Sequence, residues 1–268
     1  MKTYVVTGAA SGIGAATKAR LESDGHRVIG VDLHSTDVTA DLSTAAGCAA
    51  AVAKVTEMVE GKIDGFAAVA GVAPSVDMPS RLLIGVNYFG AVRLLEGLRP
   101  LLAEGENPSA VLISSNSTTY QPNWPTELAE ACLDGDEESA NTIAERFGDQ
   151  ASIQAYPATK AAIAYYARTR SAEYIRQGIR LNAVAPGYTD TPMTRSGLED
   201  PVVAEAIEQF LSRIPAGRAG RPDEVASVVT YLLGPESTYV VGSVFFVDGG
   251  IDAALRGKDW PKPLEFDV

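Results

Sequence analysis

The chain has 268 residues, two cysteines, two histidines and a net charge of −12. Two thiols outside any metal-ligand spacing exclude a disulfide framework and a Cys/His zinc site, and the acidity argues against nucleic acid or an anionic membrane as partner. No apolar run reaches the length of a membrane span, and MKTYVVTG leaves no room for a signal peptide ahead of the first strand, so a single-domain cytoplasmic chain is expected.

Tyr4–Val6 reads as a short buried strand. It stops at Thr7-Gly8, and an apolar helix pattern resumes at Ile13 and runs to Ser23. A strand that feeds a helix N-terminus through a glycine-rich turn presents unpaired N–H groups and a favourable dipole to an anion. In Gly8-Ala9-Ala10-Ser11-Gly12-Ile13-Gly14, Gly8 serves the tight turn, Gly12 the approach of a phosphate and Gly14 the packing of helix on strand. The next strand, Val28–Val31, is closed by Asp32, an acid placed to bond an adenosine ribose and to repel a 2′-phosphate. No Lys or Arg stands at Ser11, Leu33 or His34 to reverse that preference, so NAD is expected rather than NADP.

The alternation continues with a short strand at Asp37–Ala40, an Ala-rich helix from about Thr44 to Val59, a strand at Phe66–Ala70 and a long helical region over Met78–Leu102. Ala110–Ser114 is a further strand. A helix runs from Tyr156 to about Gln177, and strands at Arg180–Val184 and Val244–Val247 flank the helix Asp223–Leu233, opened by Pro222 and closed by Gly234. Strands separated by helices predict a doubly wound parallel sheet covered on both faces, a Rossmann-type α/β domain whose ligands bind at the strands' carboxyl ends. By that rule His26, ahead of its strand, is a surface residue at the wrong end of the sheet for chemistry.

Tyr156 and Lys160 lie four apart, on one face of their helix, after a strand that delivers Ser114-Ser115 to the cofactor end. A phenol with a pKa of about 10 is only about a thousandth ionised at neutral pH. Two charges ~4 Å apart at an effective dielectric of ~20 interact by about 4 kcal/mol, roughly 3 pKa units. A neighbouring ammonium is therefore expected to supply most of the activation.

The glycine-rich turn, Asn87, Ser115, Tyr156-x-x-x-Lys160, Pro186-Gly187 and Asp248-Gly249-Gly250 together resemble the short-chain dehydrogenase/reductase family, over residues 2 to about 252. The resemblance implies that Tyr156 is the general acid/base, that Ser115 holds the substrate oxygen, and that Lys160 lowers the phenol pKa and binds the nicotinamide ribose. It implies that Asn87 holds a water passing protons toward Lys160. It also assigns Asp41-Leu42 to the adenine, Ala70-Gly71 to close cofactor approach, and Pro186, Gly187, Thr189 and Thr191 to the nicotinamide end. The substrate would meet Ser115, Asn116, Ser117, Tyr156, Tyr188 and Met193. The Tyr–Lys spacing argues against the enoyl-reductase branch. One departure is Ala68-Val69-Ala70-Gly71 where the family usually carries Asn-Asn-Ala-Gly; it is expected to alter support of the central sheet without loss of activity.

Ser115 and Tyr156 are 41 positions apart, and residues 121–150 hold eight acids against Arg146 alone. Pro125 leads a helix Thr126–Leu133, and Ile143 and Phe147 are expected on one buried face of a second, so this insertion is a helical flap, expected to replace or reshape the family's usual subunit contact in a homodimer or homotetramer. The insertion, the Val-Asn-Tyr-Phe-Gly-Ala run and Asp-Gly-Gly-Ile-Asp-Ala resemble the bacterial 3α-hydroxysteroid dehydrogenase/carbonyl reductase branch. That implies an NAD(H)-dependent exchange of a secondary alcohol and a ketone on a bulky apolar molecule such as a steroid. Residues 188–215, with Val203, Ile207, Phe210 and Leu211 at helical spacing, are expected to form the lid, and the tail with Trp260 and Phe266 to cover the pocket or a neighbouring subunit. A non-catalytic NAD-sensing protein and an NAD-using epimerase or dehydratase are the alternative readings.

Overall fold

Seven strands, β1 (Thr3–Thr7), β2 (Arg27–Asp32), β3 (Val38–Thr39), β4 (Gly65–Ala68), β5 (Ser109–Ile113), β6 (Arg180–Pro186) and β7 (Val244–Val247), pair in parallel in the order β3-β2-β1-β4-β5-β6-β7. The computed structural model describes residues 1–195 and 201–260, with the side chains of 201–204 and 206 outside that description. The chain winds outward from β1 to β3 and then returns to β4 on the other side of β1. The carboxyl ends of β1 and β4 therefore diverge into the crevice where such sheets bind ligands.

The strand residues alternate between two cores. Val5, Ile29, Phe66 and Leu112 point to one face, packed by the helices α2 (Ala45–Met58), α4 (Ala91–Ala103) and α8 (Ala151–Ile175). Tyr4, Val6, Val111 and Val184 point to the other, against α1 (Gly12–Ser23) and α11 (Pro222–Leu233). Burial on both faces is what makes the strands read as continuous apolar runs.

Four sequence expectations change. β4 ends at Ala68, two residues early, because the Thr7 hydroxyl accepts the N–H groups of Val69 and Ala70 at 3.0 Å each and draws them off the ladder. The region expected to be one helix over Met78–Leu102 is three pieces: α3 (Ser80–Ile84), a wide π-helical turn Gly85–Gly90 holding Asn87, and α4. The helix α8 begins five residues before Tyr156, so the tyrosine sits in its second turn. His26 is half-buried, its ring centre 5.2 Å from that of Tyr4.

After a short α5 (Ser117–Tyr120), the insertion forms α6 (Thr126–Leu133) and α7 (Glu137–Glu145). Leu128, Cys132, Ala140 and Ala144 join the core against α3 and α8. Ile143 is buried as expected, but α7 ends before Phe147, which is exposed. The acidic face meets two arginines of the body: Arg93 pairs with Glu137 at 2.6 Å, and Arg81 reaches Glu138 at 3.3 Å and Glu145 at 3.4 Å. The Arg81 pairs are exposed and contribute little; the apolar stripe fixes the flap. Beyond β6 lie α9 (Pro192–Arg195) and α10 (Pro201–Leu211), and beyond β7 α12 (Ile251–Arg256). Phe266 lies outside the described residues.

Candidate active site

A cavity of about 540 Å³ opens at the carboxyl ends of β1, β4, β5 and β6. Its floor is the β1–α1 turn. Gly8 is left-handed at φ +67°, and a Cβ there would stand 2.9 Å from the Ala70 Cα; a Cβ on Gly14 would collide with the Gly8 carbonyl. The turn therefore tolerates no side chain at either position, and the amides at the α1 N-terminus stay open to the cavity. Thr191 arches over the turn from the far side, its Cγ2 3.2 Å from where a Gly12 side chain would start.

Every cofactor residue predicted from the sequence lines this cavity: Gly8, Ser11, Gly12, Ile13 and Gly14 below, Asp32, Leu33, Asp41 and Leu42 at one end, Ala70 and Gly71 along the wall, and Pro186, Gly187, Thr189 and Thr191 opposite. Asp32 is fixed by two amides, Ala10 N–H donating to one carboxylate oxygen at 2.9 Å and Leu33 N–H to the other at 2.7 Å. Asp41 accepts both the amide and the hydroxyl of Ser43, which hold its carboxyl below the usual carboxylate range. An extended cavity with an anion cradle in its floor and a fixed acid at one end fits a dinucleotide. Its diphosphate would be held by the Gly8–Gly14 turn and its adenosine ribose by Asp32.

At the other end, consecutive serines point to opposite sides of the strand end. Ser114 donates to the Lys160 carbonyl at 2.7 Å and ties α8 to the sheet, while Ser115 faces the cavity that Tyr156 also lines. Burial pushes the Tyr156 phenol above its ordinary pKa, and the Ser115 hydroxyl opposes that rise. Lys160 is buried and donates to the Ile113 carbonyl at 3.1 Å, 5.9 Å from the centre of the Tyr156 ring. Burial lowers its ammonium to about 8. One of the three ammonium donors is taken by this main-chain carbonyl, and the other two remain for the cavity.

Asn87 lies deeper than these groups. Its amide clasps the backbone of Val72, accepting from the N–H at 2.8 Å and donating to the C=O at 3.0 Å, and it is buried behind the cavity wall. The side chain fixes the segment after Gly71, on the side of the glycine that also faces Lys160, and keeps one N–H and one carbonyl lone pair beyond these two bonds.

Of the predicted substrate residues, Ser115, Asn116, Ser117, Tyr156, Tyr188 and Met193 all line the cavity. Phe210 of α10 packs edge-on against Tyr120 at 4.9 Å and lies 6.3 Å from Tyr188, closing the apolar end. Ile207 and Leu211 are half-buried on the same helix, and the Val203 side chain lies outside the described residues. Three contributors went unread in the sequence. Thr7 ties the ends of β1 and β4, as above. Tyr120 supports the lid. Gln121 lines the cavity and donates to the Ile153 carbonyl at 3.1 Å. Single polar residues in an irregular segment carry no periodic signal, so only coordinates reveal them.

The geometry defines a dinucleotide-dependent oxidoreductase site, and the chain belongs to the short-chain dehydrogenase/reductase family. Residues 2–126 match the family model described as short chain dehydrogenase, and residues 139–252 match one described as Enoyl-(Acyl carrier protein) reductase. Among individual proteins, the chain is 40% identical to the 3-alpha-hydroxysteroid dehydrogenase/carbonyl reductase of Comamonas testosteroni, over 96% of this chain and 98% of that one. It is 41% identical to the 3-alpha-hydroxysteroid dehydrogenase of Pseudomonas sp. B-0831, solved with NADH, with a TM-score of 0.88 and coverage of 96% and 99%. The cyclohexanol dehydrogenase of Acinetobacter sp. strain SE19 is 29% identical, over 92% of this chain and 94% of that protein. No helix among the described residues is long and apolar enough to cross a membrane.

Proposed function

We propose that the protein interconverts a secondary alcohol and a ketone with NAD(H), on a bulky apolar substrate of the hydroxysteroid or cyclic-ketone type. The observation that carries this reading is that Tyr156, Ser115 and Lys160 line one cavity floored by the glycine-rich turn. The nicotinamide, when bound, supplies or accepts the hydride. Ser115 binds the substrate oxygen, and Tyr156 gives that oxygen its proton in reduction and takes it in oxidation. Lys160 and Thr191 hold the nicotinamide end, and Asn87 positions the wall beside it. The apolar lining from Val72 through Pro74, with Tyr188, Met193 and Phe210, excludes water and suits a large hydrocarbon body. The NADH-bound relative and the acid at Asp32 both favour NAD over its phosphorylated form.

Purified protein incubated with NADH and a panel of steroid, aryl and cyclic ketones tests the reading. Consumption of NADH by the natural chain, lost in Tyr156→Phe while NADH still binds, is the expected result. Binding without turnover across the panel would favour a sensor, and full activity in Tyr156→Phe would remove the phenol from the reaction.

A further inference from the structure

Pro157 follows the tyrosine inside α8 and has no N–H, so the Ile153 carbonyl one turn earlier loses its helical partner. A buried carbonyl without a donor is costly. Here the donor comes from outside the helix: the Gln121 side-chain amide bonds Ile153 O at 3.1 Å. Gln121 is itself anchored, its backbone N–H donating to Ser117 O at 3.0 Å, and the Ser117 N–H donates to the Ser115 hydroxyl oxygen at 3.1 Å. One side chain therefore spans from the loop that carries Ser115 to the helical turn that carries Tyr156.

We propose that Gln121 is a positioning residue for the reaction: it replaces the hydrogen bond that Pro157 removes and fixes the distance between the Ser115 and Tyr156 hydroxyls. The helix needs this strut because only five residues of α8, Ala151–Ala155, precede the tyrosine. Without it the first turn has an unpartnered carbonyl beside a proline ring and is free to tilt. A misplacement of about 1 Å in such a pair costs up to ~100-fold in rate.

The compensation has a specific signature, since an alanine at 157 would return the missing N–H and make the glutamine redundant. The experiment is a double-variant cycle of Gln121→Leu and Pro157→Ala. Gln121→Leu should lower kcat about 10- to 100-fold with NADH affinity unchanged. Pro157→Ala alone should retain activity, and the double variant should recover most of the loss. A double variant as slow as Gln121→Leu, or a Gln121→Leu with natural kcat, overturns the proposal. If Gln121→Leu does not fold, Gln121→Glu, which has the same length and no donor, takes its place. The kinetic arm rests on the alcohol–ketone reading, whereas amide hydrogen exchange over residues 151–160 does not. Protection there should fall in the Gln121 variant and return in the double variant, and unchanged protection refutes the strut even if no ketone in the panel is turned over.

Discussion

The Lys160 ammonium donates to the Ile113 carbonyl rather than to the Tyr156 phenol, whose ring centre is 5.9 Å away. Its buried charge is a stability liability, because burial lowers its pKa from 10.5 to about 8. Between those two values the unfolded chain binds the proton and the folded one does not, so this group makes stability rise with pH from about 8 to about 10.5. Below pH 8 the full cost, about 3 kcal/mol, is present. Removing the amine leaves Ile113 O unpartnered, which returns ~1 kcal/mol. Lys160→Met should therefore be more stable than the natural chain by roughly 2 kcal/mol at pH 7, with no turnover and a flatter stability profile over pH 8–10.5. Urea unfolding of both proteins across that range checks the sign. A variant that is less stable at pH 7 would mean the ammonium is well paired in solution.

The phenol behaves oppositely. Burial raises the Tyr156 pKa and the Ser115 hydroxyl opposes the rise without cancelling it, so in the coenzyme-free protein the proton stays on through the neutral range. That state suits ketone reduction; oxidation requires the phenolate. Ser115→Ala removes the group that favours the phenolate, so the Tyr156 pKa should rise further and the alkaline limb of alcohol oxidation should move to higher pH. Ultraviolet difference titration against Tyr156→Phe isolates this phenol, and a downward shift in Ser115→Ala would contradict the assignment.

What the sequence made legible follows from period and position. The parallel order and both cores follow from strands that are apolar on two faces, and the cavity residues from the rule that ligands sit beyond the strand ends. Glycines 8, 12 and 14 and Asp32 stand where a chain reading places them because local backbone geometry dictates them. Side-chain partnerships were not legible. Nothing in the spacing of Tyr156 and Lys160 says that the amine turns to Ile113, nor does Asn87 in a helical run announce that its amide will clasp Val72. The start of α8 was also hidden, since Pro157 reads as a helix boundary and the donor that lets the helix continue through it, Gln121, lies 36 positions away.

Asp32 is both a shape and a charge. Its two oxygens take the amides of Ala10 and Leu33, which leaves the carboxylate pinned at the cavity's adenosine end. A 2′-phosphate would meet that charge with no cation at Ser11, Leu33 or His34 to offset it. Asp32→Ser keeps an acceptor for the Ala10 amide and removes the charge. The ratio of kcat/KM for NADH over NADPH should fall by about 10- to 100-fold, the equivalent of roughly 1.4–3 kcal/mol. Equal use of both coenzymes by the natural protein would refute the reading of this acid.

At the opposite end of the sheet Arg180 ties β6 to the end of α11. Its guanidinium is buried at the C-terminus of α11, where it donates to Leu232 O at 2.8 Å, to the Ser237 carbonyl at 3.0 Å and hydroxyl at 2.6 Å, and to Gly234 O at 3.1 Å. Leu232 and Gly234 stand at the end of α11, where the helix has no N–H left to offer their carbonyls, and the positive charge meets the negative end of the helix dipole. Burial lowers the guanidinium's pKa but the side chain stays charged, so its hydration is replaced by those carbonyls. Lysine keeps the charge and lacks the planar fork, so Arg180→Lys should lose several of these charge-assisted bonds at once. The expected loss is about 2–4 kcal/mol of unfolding free energy. KM for NADH and for the ketone should stay unchanged, since the residue stands at the amino end of β6, away from the cavity. Denaturant unfolding and steady-state kinetics on the same preparation separate the two effects, and a change in KM without a loss of stability would place Arg180 in the coupling between sheet and site.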